Sequence, residues 1–173
     1  MIEPVNLEAW AERHKDVYRR GHVRRTGESA PEANIERSYQ SNLGASLEAA
    51  LEHLPEGEEP IFVAFGKAFP SDAEELRKKD EAAGGPWRRF TVHGLIVVTR
   101  RRILAIEQYS SALQRLDQPR LHEHSVKMIS HIKRHPTGMA LLVGFGGSEM
   151  TYGVGIDDEF DRLALVLKEL TGG

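Results

Sequence analysis

The sequence predicts an α+β fold, a small antiparallel β-barrel closed by a C-terminal helix and preceded by a helical extension. Three observations carry this. Residues 60–156 alternate short β-branched and aromatic runs with turn residues. One amphipathic helical pattern follows, with Phe160, Leu163, Ala164, Leu167 and Leu170 on a single face. Before Pro60 the apolar residues recur at helical spacing instead. Strands followed by one helix have few packing solutions, because neither element buries its apolar side alone. The helix must cover the open end or face of the sheet. The expected units are a helical extension at 1–55 and a barrel with its helix at 56–173, carrying a long polar insert at 70–86.

Asn6 is a good N-cap for a first helix over residues 7–20, with Leu7, Trp10, Val17 and Tyr18 on its apolar stripe and Gly21 as its stop. Ser29-Ala30-Pro31-Glu32 reads as a capping box for a second helix. Ile35, Tyr39, Leu43, Leu47, Ala50, Leu51 and Leu54 keep its period, and Pro55-Glu56-Gly57 ends it. Ile61–Gly66 is the first strand. Ser71-Asp72-Ala73-Glu74 caps a short helix inside the insert, and Gly84-Gly85-Pro86 closes that insert as a turn. Trp87–Thr99 and Arg102–Tyr109 follow as strands joined by a tight arginine turn, and Ser110–Pro119 is a loop. Leu121–His135 is one bent strand or two short ones. Met139–Phe145 and Met150–Ile156 form a hairpin about Gly146-Gly147-Ser148-Glu149. Asp157 opens the final helix, with Asp158, Glu159 and Asp161 complementing its dipole and Gly172 ending it.

Composition narrows the function. The 173 residues hold no cysteine, which excludes disulfides, thiolate nucleophiles and cysteine-ligated metals. The longest apolar runs, Leu95–Thr99 and Met139–Val143, have strand length and do not span a bilayer. Met1-Ile2-Glu3-Pro4 lacks the layout of a signal peptide, so a cytoplasmic location is expected. Net charge is −3, unevenly placed: residues 88–135 carry a balance of +7, and residues 136–173 one of −4. Such asymmetry marks either an anionic partner or solvated faces that partly neutralise each other.

Several stretches resemble the bacterial pleckstrin-homology family, in particular its YokE-like branch. They are Leu54-Pro55-Glu56-Gly57-Glu58-Glu59-Pro60 before the first strand, Gly94–Leu104 with its central Thr-Arg-Arg-Arg, Val126–Ile132, Leu141–Phe145 and the terminal helix. The resemblance covers residues 54–171 and leaves out the 70–86 insert and the N-terminal helices. It implies a pleckstrin-homology-like barrel, a binding role and no shared catalytic residues. Fold alone does not fix function.

The candidate sites follow from residue chemistry. Arg100, Arg101 and Arg102 at a hairpin tip, with Arg88 and Arg89 on the neighbouring strand, are the best anion-binding group, because guanidinium forks grip phosphates and acidic peptides. Trp10, Val17, Tyr18 and Tyr39 are large groups costly to leave in water, so they dock on the barrel or on another chain. His122 and His124 share a strand face, and with His131 and His135 they are the candidate metal ligands. The glycines at 144–147 and 153–155 do not match a phosphate loop, and no Gly-x-Ser-x-Gly elbow or marked carboxylate pair is present. The reading is a non-enzymatic, cofactor-free protein-binding or assembly module whose partner is another protein or a second copy. The alternatives are a binder of nucleic acid or acidic lipid through residues 88–135, and a metal-dependent protein using the histidines.

Overall fold

The computed structural model describes residues 2–71, 94–109, 115–136, 140–154 and 157–173. Local chemistry sets the helix ends. The Asn6 side chain accepts from the Ala9 N–H at 3.0 Å and starts α1, Leu7–Thr26. This helix runs through Gly21, the stop the sequence predicts, and ends at Gly27. A glycine inside a helix weakens it by only about 1 kcal/mol. Termination needs a left-handed residue, and Gly27 supplies it with φ 74° and an N–H bonded to the Val23 carbonyl.

The second helical stretch is α2, Glu32–Tyr39, a π turn at Gln40–Gly44, and α3, Ala45–Glu52. The predicted capping box does not form. Pro31 is the N-cap and no side chain caps the helix; the Pro31 carbonyl accepts from Asn34 and Ile35.

Seven antiparallel strands follow: β1 Pro60–Pro70, β2 Gly94–Thr99, β3 Arg102–Tyr109, β4 Arg115–Ser125, β5 Ile129–Arg134, β6 Ala140–Phe145 and β7 Ser148–Val154. Their order is β4-β3-β2-β1-β7-β6-β5. A 3₁₀ turn, Val126–Met128, divides β4 from β5, so the 121–135 stretch is two strands, and β4 begins inside the predicted loop. The 72–86 part of the insert, its predicted helix, and strand residues 87–93 lie outside the described residues, as do 110–114 of the predicted loop.

Strand β1 changes partner midway. Phe62–Phe65 pair with β2, and Gly66–Pro70 pair with β7. The sheet therefore has two halves sharing β1. Among the described residues β4 and β5 pair only with β3 and β6, so the sheet is open where a closed barrel would join them.

The period-2 alternation of the strands builds two cores. Phe62, Ala64, Ile96, Val98, Ile103 and Ala105 join Leu141, Val143 and Tyr152 of the other half, and α4, Asp157–Leu170, adds Phe160, Leu163 and Leu167. The interleaved Val63, Phe65, Leu95, Val97, Leu104 and Ile106 face outward, where Trp10, Tyr39, Leu47 and Ala50 of the N-terminal helices cover them. Both faces of β1–β3 are thus buried, which explains their unbroken apolar runs.

Candidate functional site

The arginine hairpin is built on Thr99. Its hydroxyl accepts from the N–H groups of Arg101 and Arg102 at 3.1 Å each, and donates to the Glu58 carboxylate at 2.6 Å. Arg102 donates from Nε to the same Glu58 oxygen at 2.8 Å and from Nη1 to Glu123. The Glu58 side chain is only 7% exposed, so this is an internal clamp. Both carboxylates hold the Arg102 guanidinium above its ordinary pKa, Glu58 more strongly. Arg100 donates to the Ile2 carbonyl at 2.7 Å and ties down the N-terminal segment. Arg101 is exposed and, with Lys127 and Ser125, lines a shallow pocket that Glu123 also enters. The hairpin is therefore only partly available to an anion. Arg88 and Arg89 lie outside the described residues.

The histidines are not gathered. His122 and His124 pair across with Ala105 and Ile103, residues of the inner face. The His124 ring stacks on Phe145 at 4.4 Å. Burial, and then the neighbouring His122, lower its pKa. Its Nδ1 is buried and has no hydrogen-bond partner among the described residues. His131 instead donates from Nε2 to Glu149 at 2.6 Å. Among the described residues no three metal-ligating side chains converge.

Of the apolar partner candidates, Trp10 is 2% and Tyr39 6% exposed. The Trp10 indole donates to the Val63 carbonyl at 3.1 Å, and Lys15 lies over the Tyr39 ring. Both side chains are occupied within the chain. Tyr18 is partly buried against the same core, and Val17 is 46% exposed, so only Val17 and part of Tyr18 remain for a partner to touch.

The two strand edges left unpaired among the described residues are less visible in sequence. β4 carries Pro119 and a bulge, both of which interrupt an edge. β5 has no proline. The His135 N–H points inward to the Ala140 carbonyl at 2.8 Å, so by alternation the N–H groups of Ile132 and Arg134 point outward. Lys133 and Arg134 are exposed along this edge. Arg134 also pairs with Asp161 at 2.6 Å and lies 4.7 Å over the Phe160 ring, linking β5 to α4. Ile129 and Ile132 among Ser, His and Lys mark the stretch in sequence, but its edge position is a property of topology.

Among the described residues no helix is long and apolar enough to cross a membrane. In comparisons with known proteins, no family model matches the chain, and no curated protein matches its sequence.

Proposed function

We propose that this chain is a non-enzymatic, cytoplasmic protein-binding module on a pleckstrin-homology-like scaffold, and that it takes an extended acidic segment of a partner protein along the β5 edge. The carrying observation is that among the described residues β5 ends the sheet, with the N–H groups of Ile132 and Arg134 turned outward and no proline to block them. An extended segment added there gains main-chain hydrogen bonds and brings its side chains to the strand's flanks. Exposed Lys133 favours a carboxylate, Arg134 being already paired with Asp161, and a lysine on the edge disfavours a second, like-charged β5 edge, so another protein is preferred to a second copy. The strand order and C-terminal helix support the scaffold reading. The internal Arg102 clamp weighs against the hairpin as the main contact.

The test uses the full chain and a set of end-blocked peptides alternating Glu with Val, titrated by amide-resolved NMR. Saturable shifts confined to Ile129–Arg134 and their neighbours support the reading. Arg134→Pro, which a free edge tolerates but a paired one does not, abolishes them, and Lys133→Glu weakens them about tenfold. Shifts that centre on Arg101 and Lys127 and vanish with salt, concentration-dependent dimerisation through β5, or no binding at all, each contradict it.

A further inference from the structure

We infer that the solvent face of α1 is a docking surface for the phosphate backbone of a double-stranded nucleic acid, held without base readout by Arg13, Arg20 and Arg24. This inference does not rest on the β5 edge.

The basic residues of α1 fall into two groups. Lys15 and Arg19 face α2 and are committed there. Lys15 pairs with Glu36 at 2.7 Å, and Arg19 pairs with Asp16 at 2.5 Å and Glu32 at 2.9 Å. Glu12 turns to the same two cations, at 3.6 and 3.7 Å. The carboxylates of this helix stretch are thus taken up on that side. Arg13, Arg20 and Arg24 are exposed, and none of them makes an ion pair or a side-chain hydrogen bond among the described residues.

Their spacing gathers them. Positions 13, 20 and 24 fall within about 40° of arc on a helix of 3.6 residues per turn. At 1.5 Å per residue the row is about 16 Å long, roughly half a turn of duplex. Val17 lies in the same stripe and is exposed. The sheet-facing side of α1 is pinned by buried Trp10 and His14, so the row stands on a fixed element. Arg20 and Arg24, four residues apart, repel each other, and a bound anion removes that cost. Arg24 also complements the negative end of the helix dipole, whereas Arg13 and Arg20 lie outside the last turn.

Guanidinium forks match phosphate oxygens. A membrane surface would need an apolar face turned outward, and the apolar residues Leu7, Trp10 and Tyr18 pack against the sheet instead. A single strand is held by stacking its bases on aromatic rings. Among the described residues the exposed large apolar side chains are Val17, Val23, Leu51, Met128 and Leu165, none of them aromatic. A duplex backbone needs only the charges.

Fluorescence anisotropy of a labelled DNA duplex of about 20 base pairs, titrated with the full chain, tests this. Three phosphate contacts predict a slope of log K against log salt of about −2.7, which is about 40-fold weaker binding at about 200 mM than at about 50 mM salt. Arg13→Ala, Arg20→Ala and Arg24→Ala should each make the slope shallower by about 0.9, Arg20→Lys should keep it, and Arg101→Ala should leave it unchanged. Three results overturn the inference: no saturable binding at about 50 mM salt; a slope that only Arg101→Ala or Lys127→Ala changes, which moves the contact to the arginine hairpin; or displacement of the duplex by polyglutamate at equal charge, which makes the partner an acidic peptide.

Discussion

Gly66 and Gly153 approach so closely that a Cβ on Gly66 would lie 2.4 Å from the Gly153 carbonyl oxygen. The contact falls where β1 leaves β2 and joins β7, so it sits at the fold in the sheet. A methyl group there also meets Ile96 Cδ1 at 2.7 Å. Gly66→Ala should therefore destabilise the protein by about 1–3 kcal/mol through overpacking, read from the midpoint of a urea transition.

The N-terminal helices are held by their own core, and Trp10 is its deepest aromatic at 2% exposure. Trp10→Ala should cost about 3–5 kcal/mol. Val17→Ala, on the exposed side of the same helix, should stay within about 0.5 kcal/mol. Equal and small effects at both positions would mean that α1 does not dock on the sheet.

Arg102 is a clamp residue and Arg101 a surface one. Arg102→Ala leaves the buried Glu58 carboxylate with the Thr99 hydroxyl alone and should cost about 1–3 kcal/mol in a urea melt. Arg101→Ala should be neutral to stability. A reversed order would contradict the assignment of Arg102 to structure.

Two half-buried or buried histidines set a pH dependence. Burial lowers the pKa of both His14 and His124 from the ordinary 6.5. Below that value the unfolded chain binds protons that the folded chain resists, so stability falls as pH drops toward the folded pKa values and is fully present above about 6.5. Urea midpoints should decline as pH falls below about 6.5, and His124→Phe should make that decline shallower. An unchanged slope in the variant would remove His124 from this account.

Much of this architecture was legible in the sequence. The Asn6 cap, the apolar strand runs and the Phe160–Leu170 face stand where residue chemistry puts them, whereas the predicted 146–149 turn narrows to Gly146-Gly147 because Ser148 and Glu149 already pair with Phe145 and Gly144. Where the structure departs from the sequence pattern, a neighbouring residue overrides a local signal. Gly21 is helical because Gly27 provides the left-handed stop, and Ser29 caps nothing because Pro31 already occupies the N-cap. The sites were less legible. Three consecutive arginines look alike in sequence, yet Glu58, 44 residues away, commits Arg102 and leaves Arg101 exposed. Arg19 and Arg20 are neighbours in the same way, and only the packing of α2 against α1 commits Arg19 to Glu32 while Arg20 stays exposed.

Amide hydrogen exchange at Ile132 and Arg134 tests the central claim most directly. In the free chain both outward N–H groups should exchange quickly, while the inward N–H of His135 is slower. Saturation with an end-blocked Glu–Val peptide should slow exchange at Ile132 and Arg134 together, and Arg134→Pro should abolish the protection at Ile132. Protection that appears elsewhere, or exchange at these two positions unchanged at saturation, would contradict β5 as the docking edge.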